Sequence, residues 1–94
     1  MPRAEEVFRA IADPTRRRIL DILTAEGTRP VNELSRRFAM SQPAVSQHLR
    51  VLRGAGLVRV RRQGRLRVYS ADPEPLLDVY HWVRRTSQSA IPGG

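Results

Sequence analysis

The sequence predicts a mainly α-helical domain with one small β-hairpin, in the order helix–helix–helix–helix–hairpin–helix. Three observations carry that prediction. Apolar residues recur at helical spacing in five stretches. The period switches to two only between Leu57 and Ser70. Asp-Pro, Ser-x-Pro and Gly signals punctuate the stretches where helices should start and stop.

The first helix is read from Ala4, Val7, Phe8 and Ile11, which form one stripe at i, i+3, i+4, i+7. Asp13-Pro14 ends it and opens a second. An Asp carboxylate accepts the free amides of a first helical turn, and Pro at the first helical position lacks an amide that would go unbonded anyway. Ile19, Leu20, Ile22 and Leu23 carry the second helix to about Ala25, and Gly27 stops it. A short third helix follows Pro30, with Val31, Leu34 and Phe38 on one face. After a brief break at Ala39-Met40, Ser41 caps a fourth helix. Pro43 is tolerated in its first turn, and Val45, Leu49 and Leu52 run to Gly54 or Gly56.

Val58 and Val60 then alternate with Arg59 and Arg61, and Leu66 and Val68 with Arg65, Arg67 and Tyr69. With Gln63-Gly64 between them as the turn, the two runs predict a hairpin. Asp72-Pro73 repeats the cap signal and is expected to open a fifth helix striped by Leu76, Val79, Tyr80 and Val83. Two short helices joined by a tight turn and followed by a basic hairpin make the winged helix-turn-helix layout. Residues 1–85 are expected to form this domain, and the polar stretch 86–94 a flexible C-terminal tail.

The bulk numbers bound the function. At 94 residues the chain suits one compact domain with a thin core, to which a partner subunit adds burial. The net charge is +8, and all 17 basic residues are Arg. Between Ser35 and Ala71 there are nine Arg and no acidic residue, the charge asymmetry of a face that meets a polyanion. The absence of Cys excludes disulfides, thiolate metal sites and Cys nucleophiles. No apolar run approaches the roughly 20 residues that span a bilayer, and MPRAEEVFRA lacks the apolar core of a secretion signal. A cytoplasmic protein without a membrane association is expected. Enzymatic function is not: there is no Gly-rich phosphate loop and no convergent acid–base set, and the scattered carboxylates suit helix starts and solvated faces. No cofactor is expected.

At about 100° per residue, Val45, Leu49 and Leu52 cluster on one side of the fourth helix. Pro43, Gln47 and Arg50 point away from them, with Gln42, Ser46 and Arg53 on the flank. Small polar residues on the outer face of a helix N-terminal half suit the DNA major groove. There Gln pairs with adenine, Arg with guanine, and Ser with several edges. A solvated face has the same look when taken alone. The hairpin beside it, carrying Arg59, Arg61, Arg62, Arg65 and Arg67, tips the reading to double-stranded DNA, because five guanidinium groups on one ribbon call for phosphate. Arg62 and Arg65 flank the expected turn. His48 sits beside the core stripe, where three readings rank in order: a half-buried side chain packing or bonding a neighbouring backbone group, a phosphate contact that joins the DNA-binding set, and last a metal ligand.

At these residues the chain resembles the ArsR/SmtB regulators. ADPTRRRIL over residues 12–20 is similar to that family's second-helix signature. SQPAVSQHLRVL over residues 41–52, followed by Gly56-Leu57-Val58, is similar to its recognition helix. The resemblance spans roughly residues 5 to 85. It implies a homodimeric transcriptional regulator, usually a repressor, on an inverted-repeat operator. Carried over residue by residue, Gln42, Ser46, Gln47 and Arg50 match the base-reading stretch, and Arg62 and Arg65 match the wing. Many members sense metal through Cys in the third helix, where this chain has Pro30-Val31-Asn32-Glu33-Leu34. Of a second family site on the last helix only Asp78 and His81 remain, so no metal site is expected.

The first and last helices lie outside the reading unit, and the last also carries Leu77 and Trp82 beyond its stripe. A dimer interface is therefore expected at Val7, Phe8, Ile11, Leu76, Val79, Tyr80 and Val83. Three classes stay open on sequence alone. A DNA-binding regulator leads, ahead of a metal- or ligand-sensing regulator of the same fold and a winged-helix protein-interaction module without DNA binding.

Overall fold

The structure, a computed structural model, describes residues 4–90. Five helices and three short strands follow the chain: α1 (Ala4–Ile11), α2 (Pro14–Glu26), β1 (Arg29–Pro30), α3 (Val31–Phe38), α4 (Gln42–Gly54), β2 (Val58–Gln63), β3 (Leu66–Ala71) and α5 (Leu76–Ala90). The architecture is mainly helical with a small antiparallel sheet, strand order β1-β3-β2.

Two of the three expected N-caps form. Asp13 accepts a hydrogen bond from the Arg16 amide at 3.0 Å and starts α2 with Pro14 in its first turn. Ser41 Oγ accepts from the Ala44 amide at 3.2 Å and starts α4. The end of α4 is a Schellman turn. Gly56 adopts φ +77°, its amide donates to the Arg53 carbonyl at 2.9 Å, and the Leu57 amide donates to the Leu52 carbonyl at 2.9 Å. Leu52 and Leu57, the pair such a turn brings together, are both fully buried.

Side chains from the first four helices and both wing strands meet in one core, including Val7, Ile19, Leu34, Val45, Leu49, Leu52, Leu57 and Val58. Val7 is fully enclosed in this core and leaves the set of candidate dimer residues, because a side chain with no exposed surface has nothing left to offer a partner. Ile11, Leu76 and Val79 are partly buried against the same core. Between α2 and α3, Arg37 grips both carboxylate oxygens of Glu26 at 2.9 Å. That guanidinium holds the Glu26 carboxyl below the usual carboxylate range.

Four details depart from the sequence reading. The two-residue strand β1 was not anticipated: Arg29 and Pro30 pair with Tyr69 and Val68. The hairpin turn lies one residue later than expected. Gln63 pairs with Leu66, so Gly64 and Arg65 form the turn, with φ +66° at Gly64. Positive φ at the first central position only is the type II′ pattern, which places Gly there to follow the twist of the strands. The fifth helix begins at Leu76 instead of Pro73. Asp72 Oδ1 accepts the Glu74 amide at 3.2 Å in a local turn, and the Leu76, Leu77 and Asp78 amides bond three residues back, to Pro73, Glu74 and Pro75, as the chain enters the helix. The stretch from Thr86, expected as tail, continues α5 to Ala90, and the remainder of that expected tail lies outside the described residues.

Candidate nucleic-acid interface

The candidate site is built from one face of α4 and from the wing, the hairpin β2–β3. Burial of Val45, Leu49 and Leu52 turns α4 so that Gln42, Gln47 and Arg50 are exposed and Ser46 is half-buried. Arg50 Nη1 donates to Gln47 Oε1 at 3.2 Å, one turn apart on the outward face.

The wing stands beside the N-terminal half of this helix. Beyond Pro30 the strand β3 outruns β1, and along that stretch an open cleft of roughly 390 Å³ forms. Its walls are Val31 and Asn32 from α3, Gln42 and Ser46 from α4, and Arg65, Leu66, Arg67 and Tyr69 from the wing. Gln42, Ser46 and Arg65, read separately along the sequence, are thus brought together. Arg62 is exposed on β2 and pairs in register with Arg67, not with Arg65. Like charges directly opposite across two strands repel, so this pair is poised for an anion between or beside its guanidinium groups.

The five wing arginines are not equivalent. Arg59 is neutralised by Asp72, with Nη2 2.9 Å from Oδ2. Among the described residues, no ion pair engages Arg61, Arg62, Arg65 or Arg67. Arg67 joins the cleft and was missed as a site residue. The strand alternation held that signal, but it becomes usable only once the register is known.

His48 departs from the reading face. Its ring turns toward the start of α2, where Arg16 Nη1 donates to Nδ1 at 3.2 Å. The Asp13 carboxylate lies 3.9 Å from the same nitrogen. An Arg side chain only donates, so Nδ1 is the acceptor nitrogen and the Asp13 contact is not an ion pair in that tautomer. Arg16 also donates from Nε to the Ala10 carbonyl at 2.7 Å and from Nη2 to the Arg9 carbonyl at 3.2 Å. It therefore satisfies carbonyls at the end of α1 and fixes α4 against them through His48. Asp13 is held below the usual carboxylate range, first by its hydrogen bond from the Arg16 amide, which together with the Arg16 charge outweighs the opposing effect of burial.

Away from this cleft, Phe8 of α1 and Trp82 of α5 meet edge to face, with ring centroids 5.6 Å apart and an interplanar angle of 79°. Leu77, Tyr80, Trp82 and Val83 remain 44–53% exposed along α5. Asp78, His81 and Arg85 line the groove beside the Phe8–Trp82 contact. Among the described residues no group of three or more His, Cys, Asp or Glu side chains gathers as a metal site requires. No helix among them is long and apolar enough to cross a membrane.

Comparison with known proteins agrees with this geometry. The helix-turn-helix domain family matches residues 11–61, from the end of α1 into β2. The transcriptional repressor SdpR of Bacillus subtilis is 38% identical over 77 residues, covering 82% of this chain and 84% of that protein. The crystal structure of the ArsR family transcriptional regulator RHA00566 superposes with a TM-score of 0.83 at 34% identity, over 92% of this chain and 88% of that one. The homodimeric winged helix-turn-helix DNA-binding domain Mb0332 of Mycobacterium bovis, solved in solution, gives a TM-score of 0.73 at 28% identity, over 95% and 82%. With α4 and the wing in the arrangement described and these relatives along most of its length, the chain belongs to the ArsR/SmtB family of winged helix-turn-helix transcriptional regulators.

Proposed function

We propose that this regulator is a sequence-specific repressor that binds an inverted-repeat operator as a homodimer. The observation that carries the reading is the shared cleft. The polar N-terminal face of α4, with Gln42 and Ser46, opens directly onto wing arginines Arg65 and Arg67, which have no acidic partner among the described residues. Hydrogen bonds to base edges supply sequence discrimination, and guanidinium–phosphate contacts supply affinity without discrimination. In this reading Gln42, Ser46, Gln47 and Arg50 read bases, while Arg62, Arg65 and Arg67 hold the backbone. His48 contributes indirectly, through Arg16, to the setting of α4.

The dimer is assigned to α1 and α5. Four large apolar side chains exposed on one helix exceed what a monomer of this size needs at its surface. Phe8, Ile11, Leu76, Val79, Tyr80 and Val83 are the proposed contacts. That the similar Mycobacterium bovis domain is homodimeric supports a dimer. A two-fold dimer presents two copies of α4, so half-sites should lie about 34–36 Å apart, or at a multiple of that distance. Such a protein acts in the cytoplasm and needs no bound cofactor to read DNA.

The test is a binding series on an operator selected from random duplexes and on a scrambled duplex. Gln47→Ala and Arg50→Ala should lose about 1–3 kcal/mol on the operator and much less on scrambled DNA. Equal losses on both duplexes would remove α4 as the reading element. Failure of selection to enrich any half-site would remove sequence-specific binding altogether.

A further inference from the structure

One guanidinium joins three elements. Arg16, in the first turn of α2, donates from Nε to the Ala10 carbonyl at 2.7 Å and from Nη2 to the Arg9 carbonyl at 3.2 Å, both in the last turn of α1. Its Nη1 donates to Nδ1 of His48, midway along α4, at 3.2 Å. Arg17 closes the same end of α1 by donating to the Ile11 carbonyl at 2.7 Å. Carbonyls at a helix C-terminus lack intrahelical partners, so these bonds make the end of α1 and the start of α2 one unit. Among the described residues, the other side-chain hydrogen bonds of α4 stay within the helix or its cap. Val45, Leu49 and Leu52 hold α4 to the core by apolar contact, which is non-directional, whereas the Arg16–His48 bond fixes a distance and an angle.

The two ends of this bridge lie beside the two working faces. Phe8 and Ile11, proposed dimer contacts, flank the carbonyls that Arg16 holds, and Gln47 of the reading face precedes His48. We propose that Arg16 is a positioning residue, which sets the reading helix α4 against the dimer helix α1 through His48, and does so only while His48 Nδ1 carries no proton. The proposal rests on the operator-binding dimer described above. In a two-fold dimer a change in the angle between α1 and α4 acts once in each subunit, so it alters the separation of the two reading helices. The bridge therefore governs which half-site spacing is accepted, not which bases are read within a half-site.

Protonation exchanges the partners of the ring. A guanidinium has donors only, so Nδ1 must accept from Arg16. A proton on Nδ1 removes the acceptor and sets two cations against each other. Asp13 Oδ2, the oxygen that accepts the Arg16 amide, lies 3.9 Å from the same Nδ1 and attracts the charged ring. Asp13 and Arg16, both at the start of α2, are the charged groups that face the ring. Among the described residues no ion pair or hydrogen bond brings it a charged side chain from α1, α3, α5 or the wing. The neutral ring is bonded to Arg16 and the charged ring is drawn to Asp13, and the second arrangement leaves α4 without its bond toward the end of α1.

The experiment measures binding of the full chain to duplexes that carry the selected half-sites at the selected spacing and at spacings one base pair longer and shorter. It is run across about pH 8 to pH 5, the interval in which histidine changes charge. His48→Asn keeps an acceptor oxygen close to the place of Nδ1 and takes up no proton. His48→Leu offers no acceptor, and Arg16→Met offers no donor. Thermal unfolding at each pH checks that the variants fold, and should Arg16→Met fail to, the two His48 variants still decide. At the alkaline end wild type and His48→Asn should share one spacing preference, which His48→Leu and Arg16→Met narrow by about threefold or more. Acid should narrow it likewise in wild type and leave His48→Asn unchanged; His81 is common to both proteins and cancels in the comparison. Base preference within a half-site should be the same in all. If His48→Leu keeps the wild-type spacing preference, or acid acts equally on wild type and His48→Asn, the positioning role is overturned and Arg16 only closes α1. If acid strengthens wild-type binding, and His48→Asn and His48→Leu weaken it alike, His48 is a phosphate contact and the proposal is overturned. Failure of wild type to select paired half-sites would remove the operator-binding dimer itself, and this inference with it.

Discussion

Arg59 and Asp72 are joined across the base of the wing through a single carboxylate oxygen, Oδ2, which lies 3.1 Å from Nε and 2.9 Å from Nη2 of the guanidinium. Asp72 also accepts the Glu74 amide through Oδ1, so its carboxylate serves the sheet and the approach to α5 at once. Arg59 is thereby separated in function from the other wing arginines.

The first prediction follows from that separation. Arg62→Ala, Arg65→Ala and Arg67→Ala should each flatten the dependence of log affinity on log salt, by about one unit for each phosphate that is no longer neutralised. Arg59→Ala should leave the slope unchanged, since its charge is already neutralised within the chain. Filter binding or fluorescence anisotropy across a salt series measures all four. A slope change in Arg59→Ala equal to the others would show that phosphate displaces Asp72.

A second prediction concerns assembly. The dimer should form at micromolar concentration, and Phe8→Glu or Val83→Glu should weaken it while the monomer stays folded, because both side chains are only partly covered by their own chain. Val7→Glu should instead unfold the protein, since that side chain is fully buried and a buried unpaired charge has no compensating partner. Sedimentation separates the two outcomes. Trp82, the single Trp of the chain, reports locally by fluorescence through its contact with Phe8.

A third prediction uses the lowered pKa of Asp13. A carboxylate whose folded pKa is depressed stabilises the fold above its unfolded value, and that contribution disappears as pH falls through the folded pKa. Asp13→Ala should therefore destabilise the protein at neutral pH, by about 0.5–2 kcal/mol for removal of a helix cap. The gap between variant and wild type should narrow on acidification below the ordinary value of 3.8. Urea unfolding at neutral and acidic pH measures it. A gap that widens in acid contradicts the assignment of the shift to the cap.

The last prediction concerns metal. Asp78 and His81 share their groove with the cationic Arg85, and no third ligand of the kinds that hold metal joins them among the described residues. Operator affinity should be indifferent to zinc and to chelators in a gel-shift titration. A tenfold response would show that α5 gathers ligands across the dimer.

The sequence by itself determined the five helices, the hairpin and their order. Helical periodicity, Asp13-Pro14, Ser41 and the switch to alternation after Leu57 act within a few residues, and physics over that range is legible in a linear string. The residue types of the interface were legible for the same reason, because α4 rotates as a unit once Val45, Leu49 and Leu52 are known to face inward. Tertiary structure decided whatever depends on a distant partner. The two residues of β1 carry no pattern of their own and become a strand only against Val68 and Tyr69. The turn lies at Gly64-Arg65 because cross-strand register sets Gln63 opposite Leu66, which puts Gly64 at the first central position that a type II′ turn favours. Asp72 looked like a second Asp13, yet Arg59 reaches it from 13 residues away and the helix begins only at Leu76, after a turn through Pro73–Pro75. Val7 went to the core and His48 to Arg16, 32 residues earlier in the chain, because a stripe specifies which side of a helix is apolar but not which neighbour will cover it.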